Sequence, residues 1–114
     1  MKKSNFFKKV YEVVEKIPAG KVMTYGQISS MLNAKWQMLN EKGRITPRIV
    51  GFALHANSDP NTPCHRVVNK DGKVADSYAF EGWQEQKRRL VEESVTFIDE
   101  KRVDLGRHLL KETL

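Results

Sequence analysis

Cysteine is almost absent from this chain, which has a single one, Cys64, among its 114 residues. One thiol cannot close an intramolecular disulfide, so no such bond stabilises the fold. The sequence also lacks an apolar run long enough to cross a bilayer, and its basic start is not followed by the hydrophobic stretch of a secretory signal. These absences predict an intracellular, cytoplasmic protein that does not bind membranes.

Further absences limit its organisation and its cofactors. No internal repeat, low-complexity segment or composition shift divides residues 1–114, which predicts a single domain, and we expect a monomer. Cysteine and histidine occur in neither the CxxC nor the HxxxH spacing of metal sites. We therefore expect no metal and no cofactor.

Positive charge is in excess and is unevenly placed. The net charge is +6, and residues 1–57 carry ten Lys and Arg against three Asp and Glu, whereas residues 58–114 carry ten against eleven. A basic first half predicts a polyanionic partner for that half. A solvated basic surface that keeps the protein soluble is the alternative that charge alone leaves open.

Hydrophobic periodicity predicts a mainly helical fold that begins with an amphipathic helix. Apolar residues recur at helical spacing from Phe6 to Ile17 and stop at a Pro-Ala-Gly sequence. A second helix is predicted over residues 25–32, because Thr24 and Gln27 stand in the relation of a capping box.

A third predicted helix completes a helix-turn-helix. Thr46 is a favourable N-cap, and Pro47 suits the first helical position, where its missing N–H costs nothing. On this helix Arg48, Gly51 and His55 lie opposite the apolar residues, on the face expected to approach a nucleic-acid groove. Helix pairs of this kind also occur as plain packing units.

The second half of the chain predicts a β-hairpin and two more helices. Residues 67–74 have Asp-Gly between apolar pairs, the cue for a hairpin that would form the wing of a winged-helix-like domain. A helix is predicted from Gly82 to Glu92, then a short strand over residues 95–98, and the tail, residues 99–114, is expected to dock on the core as a last helix. The buried face of the first of these helices is predicted to consist of Trp83, the Lys87 stem, Leu90 and Val91.

The sequence around the lone cysteine, Pro63-Cys64-His65-Arg66-Val67, is typical of a reactive thiol. His65 can take or share the thiol proton, and Arg66 adds a positive charge that favours the thiolate. A buried, inert cysteine is the alternative that these five residues leave open.

Four motifs give the chain a family resemblance. In order, they are IPAGKVMTYGQI at residues 17–28, RIVG at 48–51, AN at 56–57 and PCHRVV at 63–68. The chain resembles the C-terminal DNA-binding and active-site domain of the methylated-DNA–protein-cysteine methyltransferases, which repair O6-alkylguanine, and their small relatives, the alkyltransferase-like proteins. The match covers about residues 5–98. It implies a partner, double-stranded DNA carrying O6-alkylguanine, bound through the minor groove with the damaged nucleotide flipped out.

The resemblance implies roles for the residues around the thiol. Cys64 would accept the alkyl group, His65 would act as its base through a bound water, and Glu93 would complete the relay. Asn57 would brace the turn that presents Cys64. Backbone carbonyls of Cys64 and Val67 would read the exocyclic amine of guanine.

The resemblance also implies a DNA-binding surface on the third helix. Arg48 would enter the base stack where the nucleotide leaves, and Tyr25 would help rotate the nucleotide outward and then face the flipped base. Thr46 and Gly51 would lie against the DNA, with contacts mainly to the backbone. Each residue also has a plainer interpretation, as a packed aromatic, a surface charge or a helix cap.

The chain departs from the family pattern in four ways, one of which is Pro47, just before Arg48, where the family usually has alanine. It lacks the N-terminal domain that precedes this one in full-length methyltransferases, its loop of residues 76–81 lacks the usual glycines that close over the alkyl pocket, and residues 33–45 are an insertion. Alkyltransferase-like proteins share the small size but usually replace the acceptor cysteine, whereas Cys64 is present here.

Two functions follow from the resemblance. The first is a single-turnover enzyme that transfers the alkyl group irreversibly to Cys64. The second is a non-enzymatic lesion sensor that flips O6-alkylguanine and recruits nucleotide excision repair proteins. The retained cysteine favours the enzyme, and the small size and altered loop favour the sensor. An ordinary winged-helix regulator that reads the major groove is a third possibility, but it gives the cysteine motif no role.

Overall fold

The computed structural model of the protein describes residues 2–36, 45–76, 78 and 80–111. These residues form a mainly helical fold with a small two-stranded sheet, which confirms the predicted fold class. The elements in order are α1 (Lys2–Val14), β1 (Met23–Thr24), α2 (Tyr25–Trp36), α3 (Pro47–His55), a 3₁₀ turn (Cys64–Arg66), β2 (Val67–Val68), α4 (Trp83–Glu92) and α5 (Leu105–His108). No helix among the described residues has the length and apolar composition needed to span a bilayer.

Helix α1 packs against α3 through the apolar stripe that its sequence predicts. Val10 and Val14 are buried, and the Tyr11 hydroxyl donates a hydrogen bond of 2.6 Å to the carbonyl of Ala53. The helix ends before the apolar stripe does. Ile17, the last residue of the stripe, is buried in the turn that follows α1.

Helix α2 begins with the predicted capping box. The Gln27 amide donates to Thr24 Oγ1 at 3.0 Å, and the Thr24 amide donates to Gln27 Oε1 at 2.8 Å. The helix extends four residues beyond the predicted Leu32, to Trp36. Within the predicted insertion, Asn33 holds Ile45 through two hydrogen bonds of 2.8 Å, and residues 37–44, with Met38 and Leu39, lie outside the described residues.

Helix α3 begins as predicted. Thr46 Oγ1 accepts the Ile49 amide at 3.2 Å, and Pro47 occupies the first turn. Val50 and Ala53 are fully buried against α1 and α2. The opposite face carries the exposed residues Arg48, Phe52 and His55.

The strand pairing differs from the predicted hairpin wing. Strand β2 pairs with β1 in parallel, with Met23 opposite Val67 and Thr24 opposite Val68. The turn of residues 69–72 does form, and Gly72 has a φ of +86° that favours glycine. Lys73, however, bridges Arg102 instead of β2. The tail therefore takes the backbone partners that a hairpin would have used.

Helix α4 forms where it was predicted, and its buried face agrees with the prediction in part, since Trp83 and Lys87 are half-buried. Leu90 is buried, whereas Val91 is 52% exposed and Gln86, only 1% exposed, takes its place in the core. The Gln86 side chain donates to the carbonyls of His65 at 3.2 Å and Val67 at 2.9 Å, and it accepts the Ala75 amide at 2.8 Å. A polar residue is thus buried because it satisfies three backbone groups.

The tail docks on the core mostly as extended chain, not as the predicted long helix. Helix α5 has only four residues, and after it Leu109 bridges Val22 in parallel. Phe97 bridges Val103, which is all that forms of the predicted strand over residues 95–98. The tail is extended here because its backbone forms hydrogen bonds with the backbone amide and carbonyl of Val22. Residues 112–114 lie outside the described residues.

Replacement of Gln86 by leucine should destabilise the protein by about 3 kcal/mol, because it leaves buried carbonyls and an amide without partners. Chemical denaturation measures the change. Gln84→Leu, the same exchange at an exposed position of the same helix, should change the free energy of unfolding by less than about 0.5 kcal/mol. Equal effects of the two exchanges would contradict the structural role of Gln86.

Candidate active site

Cys64 lies at the floor of a pocket. It begins the 3₁₀ turn, it is 4% exposed, and it contributes to the lining of a cavity of about 660 Å³. Helix α2 contributes Tyr25 to this cavity, and the segment after β2 contributes Tyr78. Helix α3 supplies one wall with Pro47, Arg48, Gly51, Phe52, Leu54 and His55. The volume falls in the range of small-molecule and cofactor sites.

The Cys64 thiol is held in its protonated form by burial. Burial raises its pKa to about 11, although the Asn57 side chain, which donates to Sγ at 3.3 Å, acts in the opposite direction. Because the thiolate is the nucleophilic form, this sulfur needs a base before it can attack.

His65 is in the state that a base requires. Burial lowers its pKa, and its contact with the Glu93 carboxylate offsets this only in part, so the imidazole is neutral at pH 7. Its Nε2 lies 2.9 Å from Glu93 Oε2. Nδ1 is buried and has no hydrogen-bond partner in the part of the chain that the structure describes.

The ionised state of Glu93 sets the tautomer of His65. Burial opposes ionisation of Glu93, but hydrogen bonds from Arg66 and His65 outweigh it, and its pKa lies below the ordinary value. A carboxylate can only accept, so the imidazole proton lies on Nε2 and the lone pair lies on Nδ1. The arrangement leaves a basic nitrogen on the residue next to the nucleophile.

Arg66 fixes this carboxylate, a function that its sequence position did not reveal. Its Nε donates to Glu93 Oε1 at 3.0 Å, its Nη2 donates to Oε2 at 2.6 Å, and its Nη1 donates to the Ile17 carbonyl at 2.7 Å. The sequence suggested that Arg66 would act directly on the thiol. Its charge is instead neutralised mainly by Glu93.

Asn57 lies where a brace for the cysteine turn was predicted. Besides Cys64 Sγ, its Nδ2 donates to the Asp59 carbonyl at 2.9 Å, and its Oδ1 accepts the Asp59 amide at 3.1 Å. Both ends of the amide are therefore used, and Asn57 is fixed relative to the sulfur.

Of the predicted DNA-contacting residues, Tyr25, Arg48 and Gly51 line the pocket, whereas Thr46 is not part of its lining. Arg48 is exposed on α3 and Gly51 has open space around the position of a Cβ, so nothing within the protein requires glycine there. Tyr25 is half-buried, and burial raises the pKa of its phenol. The Thr46 hydroxyl caps the helix.

The two carbonyls predicted to read guanine are already hydrogen-bonded. The Cys64 carbonyl accepts the Val67 amide and the Val67 carbonyl accepts Gln86 Nε2. Each carbonyl oxygen has a second lone pair, so a further donor can still be accepted. Gln86 was missed by the sequence analysis, although its spacing of four from Leu90 places both on one helical face.

Two aromatic residues, Tyr78 and Phe80, lie in the loop that lacks the family's usual glycines, and Tyr78 lines the pocket. Tyr78 is buried, and its hydroxyl accepts from Arg89 Nη1 at 3.0 Å. The Phe80 ring lies 5.7 Å from that of Tyr78. Residues 77 and 79 of this loop lie outside the described residues.

Comparisons with known proteins show the family to which this chain is similar. Residues 5–95 match the family model described as 6-O-methylguanine DNA methyltransferase, DNA binding domain. Alkyltransferase-like protein 1 of Schizosaccharomyces pombe is 34% identical over an alignment of 116 positions, which covers 97% of this chain and 99% of that protein. The methylated-DNA–protein-cysteine methyltransferase of Methanocaldococcus jannaschii is 40% identical over 77 residues, which are 67% of this chain but 40% of that protein.

A solved structure extends the likeness to the fold. The crystal structure of S. pombe Atl1 in complex with damaged DNA containing O6-carboxymethylguanine superimposes with a TM-score of 0.76 at 32% identity, over 96% of this chain and 97% of that one. The chain spans nearly the whole of this relative and less than half of the M. jannaschii methyltransferase. The chain therefore belongs to the family of 6-O-methylguanine DNA methyltransferase DNA-binding domains, as its sequence motifs predicted.

Proposed function

We propose that this protein repairs alkylated DNA by moving the alkyl group of O6-alkylguanine to Cys64. The observation that carries the proposal is the sulfur at the pocket floor beside a histidine whose tautomer leaves Nδ1 unprotonated. Cys64 as nucleophile, His65 as base and Glu93 as the carboxylate that orients the base form the relay that an activated cysteine needs.

The proposed transfer needs no cofactor. The thiol proton passes to His65, directly or through water, and the thiolate attacks the alkyl carbon. A C–S bond forms as the C–O6 bond breaks, and its electron pair stays with the guanine, which takes up a proton and remains in the DNA. The product is a thioether on Cys64, so each protein molecule acts once.

The proposed DNA complex uses the outward face of α3. A guanine O6 inside a duplex is beyond the reach of Cys64, so the nucleotide must be extruded at a cost of a few kcal/mol. An alkylated guanine pairs poorly, which reduces that cost for the lesion. Arg48 fills the gap, Tyr25 faces the extruded base, and the basic first half of the chain attracts the phosphates.

A lesion sensor is the second candidate. It is favoured by the alkyltransferase-like relative, which matches this chain over nearly the full length of both, and by the burial that raises the pKa of Cys64. Such a sensor would flip the same lesion and present it to nucleotide excision repair. The retained cysteine favours transfer.

The two candidates predict different products with duplex DNA that contains O6-methylguanine. Transfer should add one methyl group to the intact protein, on Cys64, as measured by mass spectrometry and peptide mapping. Cys64→Ser should bind the same duplex and gain no methyl group. If the wild-type protein binds the duplex but remains unmodified, alkyl transfer is excluded and the protein is a lesion sensor.

Replacement of Glu93 by glutamine should slow transfer by about 100-fold, because an amide no longer fixes the proton on His65 Nε2. Single-turnover rates on methylated duplex measure the loss, and the affinity for that duplex should stay near wild type. Glu92→Gln is the matched control, since Glu92 is exposed and bonds only Arg88 in the described structure. If Glu93→Gln transfers the methyl group as fast as the Glu92→Gln control, Glu93 has no role in activating His65.

Replacement of Arg48 by alanine should weaken binding to the lesion duplex about tenfold, because the gap in the stack is no longer filled. A fluorescence titration at several salt concentrations should show steep salt dependence for the wild type and a shallower slope for the variant. Arg102→Ala, a loss of one positive charge in the tail, should leave lesion affinity close to wild type. If both variants bind alike, Arg48 has no special place in the complex.

A further inference from the structure

An exposed aromatic side chain stands at the rim of the Cys64 pocket. Phe52 is 54% exposed on α3, and it is one of three large hydrophobic residues exposed in the described structure, with Val91 and Ile98. Of these three, Phe52 is the one that lines the pocket. Single exposed apolar residues are common, so its position matters more than its exposure.

Phe52 is paired with the residue proposed to enter the DNA. The Arg48 guanidinium lies over its ring, 5.4 Å from the centroid, one helical turn away. If Arg48 moves into the base stack, it uncovers this face of the ring. The ring would then face the DNA beside Gly51, where the protein leaves open space.

We propose that Phe52 is a second DNA wedge, an aromatic that stacks on a base or sugar next to the gap that Arg48 fills. This inference rests on the proposed function, because it requires α3 to lie in the minor groove. Apolar side chains inserted there partly unstack neighbouring steps. A ring can stack on any base, so the contact suits a protein that binds lesions in any sequence.

The test is the affinity of Phe52→Ala for duplex DNA containing O6-methylguanine. Affinity should fall about tenfold, and the slope of log affinity against log salt should not change, because no charge is removed. Val91→Ala removes an equally exposed apolar side chain outside the pocket and should bind like wild type. The melting temperatures of both variants should match the wild type, since neither side chain is in the core.

A double variant separates direct contact from support of Arg48. If Phe52 contacts DNA, Arg48→Ala and Phe52→Ala should together lose about the product of their separate effects. If the double variant binds no worse than Arg48→Ala alone, Phe52 only positions the arginine and the wedge is wrong.

2-Aminopurine next to the lesion gives a second readout. Its fluorescence should rise on binding of wild-type protein, as the step unstacks, and should rise less with Phe52→Ala. A Phe52→Ala protein that binds and unstacks like wild type, while Arg48→Ala is weakened, overturns the wedge and leaves the proposed function intact. A wild-type protein that shows no preference for the lesion duplex removes both.

Discussion

The carboxylate of Glu93 holds together the part of the molecule that surrounds the thiol. It accepts hydrogen bonds from Arg66 and His65, both in the 3₁₀ turn, while Glu93 itself follows the last residue of α4. Arg66 extends the connection to the Ile17 carbonyl in the turn after α1. A charged side chain that is removed from water is stable only when its hydrogen-bonding atoms have partners. The same contacts that satisfy Glu93 also orient His65, so packing and the proposed chemistry depend on one ion pair.

Helix α3 has two different faces, one packed in the core and one at the rim of the Cys64 pocket. Its inner face buries Val50 and Ala53, and the Tyr11 bond to the Ala53 carbonyl fixes it to α1. Its outer face carries Arg48 and Phe52 at the rim of the pocket. In the proposed complex, this packing of the inner face would bring a nucleotide guided by the outer face to a defined position relative to Cys64. Productive geometry of this kind accounts for much of the rate in reactions between bound groups.

The features that were predictable from sequence are those set by near neighbours in the chain. The capping box at Thr24 and the Thr46 cap with its following proline depend on residues three or fewer positions apart. The predicted hairpin was wrong because Lys73 pairs with Arg102, and this pairing depends on the position of the folded tail and not on the turn. Gln86 was missed because polarity normally marks an exposed position, whereas here it satisfies backbone groups of distant segments. The cysteine motif identified the site, but burial and the partners of Arg66 required the fold.

A thiol that is hard to ionise fits a lesion sensor, and it is also compatible with the proposed single-turnover transfer. Burial raises the pKa of Cys64 to about 11, so the thiol is protonated at pH 7. Oxidants and stray electrophiles attack the thiolate, so in the proposed function burial would protect Cys64 while the protein searches DNA. In the proposed reaction an extruded guanine displaces solvent from the pocket and places its alkyl carbon against the sulfur, and loss of the proton to His65 can accompany attack. In this proposal, burial lowers the reactivity of the resting thiol, and the neutral His65 with its fixed tautomer would take the proton when the alkyl carbon lies against the sulfur.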